Sequence, residues 1–185
     1  MKKILFTLAI VAFSTIQLLA QDKYFTKTGT IFFECTKSPL EKIEATNSST
    51  TCVVDSKTGN MQFAVQMKGF EFKRALMQEH FNENYVESHK FPKAEFKGMV
   101  SNNSDINYAK DGEYTAKVKG KLTMHGETRD VETSGKVSVK GGKVNILATF
   151  QVLLSDYKVS IPSVVSDKIS NTVNIKVECA LEPLK

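Results

Sequence analysis

Over most of this chain apolar residues recur at every second position, and the segments that do so are separated by short polar runs rich in Gly, Asn, Asp and Ser. Such alternation is the pattern of a half-buried strand, with one face on a core and the other in water. Ile31, Phe33 and Cys35 alternate with Thr30 and Glu34, and Met61, Phe63, Val65 and Met67 share a face opposite Gln62 and Gln66. Tyr114, Ala116, Val118, Gly120 and Leu122 line one face of a long strand whose other face carries Lys117, Lys119 and Lys121. Val144, Ile146, Ala148, Phe150, Val152 and Leu154 give the cleanest alternation, and Val173, Ile175, Val177 and Cys179 repeat it against Thr172, Asn174, Lys176 and Glu178. A threonine-rich stretch from Asn47 to Val54, a segment around Phe96 and the run from Val131 to Val139 bring the number of strands to about eight. Asp55 to Asn60, His125-Gly126 and Gly141-Gly142 have the composition of hairpin turns, and Ser101 to Asp111 reads as a loop. An all-β domain follows, and periodicity alone leaves barrel and sandwich both open.

The stretch from Phe70 to Gly98 breaks the pattern. Leu76 and Met77 are followed by His80 and Phe81, then by Asn84 and Tyr85, which is the helical interval. Met77, Phe81 and Tyr85 then stack on one face. The helix ends before Phe91-Pro92, because proline forces its predecessor out of the helical region. A single apolar-faced helix in a β-patterned chain must pack on a sheet or close the open end of a barrel. It is the one obvious lid.

The run His80-Phe81-Asn82-Glu83-Asn84-Tyr85-Val86-Glu87-Ser88, followed by Lys90-Phe91-Pro92-Lys93-Ala94-Glu95-Phe96-Lys97-Gly98, resembles the matching segment of the YceI-like family of exported bacterial proteins. Further residues match that family in order. They are Thr28-Gly29-Thr30 with Phe33, the run Gly120-Lys121-Leu122-Thr123-Met124-His125-Gly126-Glu127-Thr128-Arg129, and Asp156-Tyr157 leading to Ile161-Pro162. The resemblance covers roughly the whole chain after its leader. It implies an eight-stranded antiparallel lipocalin-like barrel, with the short helix capping one mouth and a long isoprenoid lipid in the apolar interior.

At the N-terminus, Lys2 and Lys3 precede an apolar run from Ile4 to Ala20, and Gln21-Asp22-Lys23 is abruptly polar. This reads as a signal peptide over residues 1–20, leaving a YceI-like β-barrel domain over 21–185 in the periplasm or secreted. A membrane anchor is the rival, weakened by Thr7, Ser14, Thr15 and Gln17. Cleavage would leave no stable membrane span. The formal charge of +5 falls to +3 without Lys2 and Lys3, and the other lysines are spread along the chain. With no basic stripe or base-stacking motif, nucleic acid is not an expected partner. A homodimer stays open. Cys35, Cys52 and Cys179 read as small buried hydrophobes, and pairing of Cys35 with Cys179 is feasible if the first and last strands meet.

An eight-stranded barrel is just wide enough to be filled by side chains or to hold one small ligand. The inward small residues Ala116, Gly120 and Ala148 among Phe33, Phe63 and Phe150 fit either a channel or a dry core. Under the lipid reading, the wall comprises Ile31, Phe33, Phe63 and Val65, then Phe72, Leu76, Met77, Phe81 and Tyr85 of the lid, then Phe96, Val118, Phe150 and Val152. Lys73 and Arg74, near the helix start, are candidates for a headgroup or simply a solvated helix end. The lysine row reads as a solvated face that discourages edge pairing. His125 reads as a structural hydrogen-bonding residue ahead of a headgroup contact. No metal site, cofactor or catalytic residue is expected, since His80 and His89 lie too far apart for a one-face metal pair and no serine sits in a nucleophile elbow. The rival function is a stress-related or assembly partner acting through its surface over a dry core.

Overall fold

The computed structural model describes residues 22–37 and 42–184. The leader over residues 1–20, its junction at Gln21 and the strand-ending Pro39 lie outside the described residues. Eight strands run in chain order around a closed barrel, each antiparallel to its neighbours, and the last pairs with the first. They are β1 Lys23–Thr36, β2 Glu44–Asp55, β3 Asn60–Gln66, β4 Lys93–Val100, β5 Gly112–Met124, β6 Glu127–Lys140, β7 Lys143–Leu153 and β8 Ile169–Pro183. Closure gives every one of these strands a partner on both sides over part of its length, although the β6–β7 ladder runs only from Gly135↔Ala148 to Lys140↔Lys143. The alternative of a sandwich is thereby excluded.

Hairpin chemistry sets the register. His125 and Gly126 have φ of 52° and 76°, and Gly141 and Gly142 have 57° and 77°. Two consecutive left-handed residues make the turn whose twist matches that of the flanking strands. At the β2–β3 turn the Asp55 carboxylate accepts hydrogen bonds from the backbone N–H of Lys57 (3.0 Å) and Thr58 (2.9 Å). The lysine row of β5 faces solvent, with Lys121 Nζ 2.9 Å from Asp130 on β6.

Bulges bend the first two strands. In β1, Tyr24 and Thr26 are buried and so are Gly29, Phe33 and Cys35, so the irregularity between Thr26 and Gly29 changes which parity faces inward. In β2 the switch falls between Asn47 and Thr50, both fully buried. Asn47 Nδ2 donates to the Gln66 carbonyl (2.9 Å), and its Oδ1 accepts from the Ser49 backbone N–H (2.8 Å). One buried amide thus pins the bulge of β2 to the end of β3. A bulge in this role adds curvature and re-aims side chains.

The interior divides along the barrel axis. At one end Cys52, Val54, Val139, Val144 and Leu181 form a packed cluster with Ile106, carried by the Ser101–Asp111 loop. Tyr108 of that loop stacks on Tyr24 at 5.8 Å, and Asn103 Nδ2 donates to the Ser56 carbonyl at 2.8 Å. The loop is therefore a plug. Cys52 and Cys179 hydrogen-bond to each other in this cluster, where the Cys179 bond and burial push the Cys52 thiol up. A Cβ on Gly29 would lie 2.6 Å from Cys179 Sγ, so a glycine is needed there. Cys35 belongs to the cluster at the opposite end from Cys179, so the pairing that the meeting of the first and last strands left feasible does not form, and all three thiols are free and buried.

Candidate functional site

Between β3 and β4 the chain makes a single turn at Met67–Gly69 and then helix α1, Ala75–His80. The helix widens into an i to i+5 turn over Phe81–Tyr85, closed by the Val86 N–H donating to the Phe81 carbonyl (2.9 Å). The regular helix expected through Tyr85 thus ends at His80, while Met77, Phe81 and Tyr85 still line the interior together. The wider turn advances the register by one residue, and Val86, 5% exposed, takes the buried place. Phe81 packs against Phe33 (5.6 Å), Phe70 (5.6 Å) and Phe72 (5.0 Å) between ring centroids. These aromatic contacts dock the lid on β1.

The far end of the lid is tied by the turn motif. His125 Nδ1 donates to the Tyr157 carbonyl at 2.9 Å, and its Nε2 lies 3.1 Å from Glu87 Oε2. Phe91 meets the imidazole edge-on at 4.7 Å. Glu87, His125 and Lys158 all have positive φ, and they meet here because Lys158 adjoins Tyr157 and pairs with Glu127 at 2.6 Å. Glu87 also pairs with Lys90, which with His125 holds its carboxyl below the usual carboxylate value. His125 is therefore a structural hydrogen-bonding residue at the lid's anchor.

Beneath the lid lies a cavity of about 420 Å³. That is within the range of roughly 300 to 1,000 Å³ typical of small-ligand sites. Ile31, Phe33, Phe63 and Val65 lie on its wall, as do Phe96, Val118, Phe150 and Val152. Phe72, Met77, Phe81 and Tyr85 of the lid segment close it, and Leu76 stands at the mouth, 61% exposed. Ala148 faces the space, whereas Ala116 belongs to the packed end. Gly120 is covered, since a Cβ there would lie 2.6 Å from the Phe96 ring. Val86, Val131, Thr133 and Val165 also line the wall, and sequence reasoning does not single them out; in β6 threonine and glycine dilute the alternation that would mark the pair.

Among the described residues, the charged side chains on the lining are exposed ones. Burial, with Glu34 nearby, pushes the Cys35 thiol up to about 12, and burial followed by Cys35 raises Tyr85. Both are neutral at pH 7. Arg74 and Lys168 line the cavity together with His80. Lys73 does not: its Nζ donates to Glu44 Oε1 at 2.6 Å, and its side chain is 81% exposed. Helix α1, at six residues, is also too short for the expected anion site at its N-terminus. Among the described residues no group of three or more His, Cys, Asp or Glu could hold a metal ion, and no helix is long and apolar enough to cross a membrane.

A closed antiparallel barrel, plugged at one end, lidded at the other and apolar within, defines a single-mouthed lipocalin-like architecture. The chain belongs to the YceI-like domain family, whose sequence model matches residues 24–181. In fold it is similar to a polyisoprenoid-binding domain from Saccharophagus degradans implicated in plant cell wall breakdown, at 13% identity and a TM-score of 0.77, covering 89% of this chain and 99% of that one. It is also similar to BcnA of Burkholderia cenocepacia, at 14% identity and a TM-score of 0.67, covering 82% and 95%. Comparison with curated protein sequences finds no match.

Proposed function

We propose that the barrel binds one long apolar chain, a polyisoprenoid in the first place, non-covalently and without chemistry. The observation that carries this is the cavity of about 420 Å³, whose wall is apolar and whose inward thiol and phenol are neutral. The family and the fold's polyisoprenoid-binding neighbour support the choice of ligand. Each buried methylene contributes ~0.8 kcal/mol, so a few isoprene units suffice for retention without a strong polar contact. Ordering a flexible chain offsets part of that gain. The carrier works in the periplasm or outside the cell, after loss of residues 1–20. A surface-acting partner protein would need no such cavity.

The test replaces Phe150 with Asp, confirms folding by circular dichroism, and measures uptake of a fluorescent isoprenoid. Uptake should fall at least ten-fold. Unchanged uptake in the folded variant would remove the interior as the site. Organic extraction of protein purified from its host, with mass spectrometry of the extract, identifies the natural ligand.

A further inference from the structure

Of the three cysteines, the fold sets one apart and brings two together. Cys35 stands in the cavity wall, whereas Cys52 and Cys179 are 0% and 3% exposed in the packed end of the barrel. They sit on β2 and β8, the two strands that flank β1. Cys52 pairs with Thr26 and Glu178 pairs with Thr30, so the two thiols meet over the irregular stretch of β1 between those residues. Gly29 lies in that stretch, and the Cys179 sulfur occupies the space that a side chain there would fill. β2 and β8 come within 8 Å of each other between Cα atoms, closer than the ~9.5 Å of two ordinary strand spacings. Over the bare backbone of Gly29 the two thiols hydrogen-bond to each other.

Resting on the export reading, which places the chain in an oxidising compartment, we propose that Cys52 and Cys179 form a disulfide that staples β2 to β8 across β1 and leaves Cys35 as the free thiol. A disulfide needs Cα atoms within about 7 Å, so the bond draws the two strands together over Gly29. The Cys52 thiol donates to the Cys179 sulfur, and with the Thr30 N–H this hydrogen bond holds Cys179 below the ordinary thiol value against its burial. The Cys179 thiolate attacks one sulfur of a disulfide-bearing oxidant, a thiol–disulfide oxidoreductase or oxidised glutathione, and expels the other as a thiolate. The Cys52 thiolate then attacks the Cys179 sulfur of that mixed disulfide and expels the oxidant's remaining thiolate. Each cysteine gives up its proton, and the pair's two electrons reduce the oxidant's disulfide to thiols. Exchange precedes the seating of the Ser101–Asp111 plug, which buries the bond and shields it from reductants. Cys35, pushed up to about 12 by burial and Glu34, is a poor nucleophile by comparison.

The test takes protein from its host, denatures it in the presence of N-ethylmaleimide and maps its tryptic peptides by mass spectrometry without reduction. A single adduct, on Cys35, and a linked Cys52–Cys179 peptide pair are expected. Reduction should lower the melting temperature by about 5 to 10 °C. Cys35→Ser should keep the link, and Cys179→Ser should lose it with the same fall in melting temperature. Adducts on all three cysteines of protein that has lost residues 1–20, or a link through Cys35, would overturn the proposal. Adducts on all three in protein that retains residues 1–20 inside the cell would instead overturn the export reading. Refolding that chain from urea in a glutathione redox buffer then decides the pair: a Cys52–Cys179 link supports it, and three free thiols overturn it.

Discussion

Replacing Ala148 with Phe tests whether the space beneath the lid is empty. Ala148 pairs across the sheet with Gly135, and its side chain faces the cavity. A Cβ on Gly135 would lie 3.1 Å from Ala148 Cβ, so no side chain competes on that side. A ring at 148 can lie over Gly135 as Phe96 lies over Gly98 and Gly120. Burying a phenylalanine contributes ~1.5 to 3 kcal/mol, and the methyl already present and the lost rotamer freedom reduce the net gain to about 1 kcal/mol. The melting temperature of ligand-free protein should rise by about 2 to 4 °C. Displacing two methylenes of cargo costs ~1.6 kcal/mol, about a 15-fold loss of affinity. The assays are urea unfolding of delipidated protein and isoprenoid titration. A close-packed interior gives the opposite sign, a loss of ~1 to 3 kcal/mol. Destabilisation with unchanged uptake would refute the cavity.

Phe81→Ala should cost about 2 kcal/mol in urea unfolding, less than for a fully buried ring, and should speed ligand dissociation; no change in either would mean the lid is not docked through this residue. Asn47→Ala strands the Gln66 carbonyl and should cost ~1 to 3 kcal/mol, with a loss under about 0.5 kcal/mol counting against the buried amide as the pin of the bulge. Glu87 is depressed by Lys90 and then His125, and Glu127 by Lys158 and then Arg129, from an ordinary value of 4.5. Their folded values lie below the unfolded one, so the stability they add is present above pH 4.5 and is lost as pH falls through the depressed values. Thermal melts of Glu87→Gln across that acid range should therefore show a shallower decline than wild type.

Strand positions are legible because one face of each strand meets the interior and the other meets water, as in β7 and β8. The bulges of β1 and β2 are not, since a change of parity looks like a lapse in alternation, and Asn47 reads as an ordinary polar strand residue until its partners on β3 are known. In the lid, the steps from Met77 to Phe81 to Tyr85 mark the face, but nothing in the spacing announces the wider turn that buries Val86. Lys73 and Arg74 are neighbours in sequence and alike in charge. The fold separates them, turning Lys73 to Glu44 and Arg74 to the cavity lining, and that depends on contacts between distant segments.

The plug formed by the Ser101–Asp111 loop makes the barrel a blind tube. If the proposed lipid is the cargo, it would enter tail first and leave head first, its polar end staying at the opening throughout. Loading and unloading are one path travelled in two directions. A carrier of this shape would impose no direction on transport; the direction would follow the difference in the cargo's chemical potential between the two places it visits.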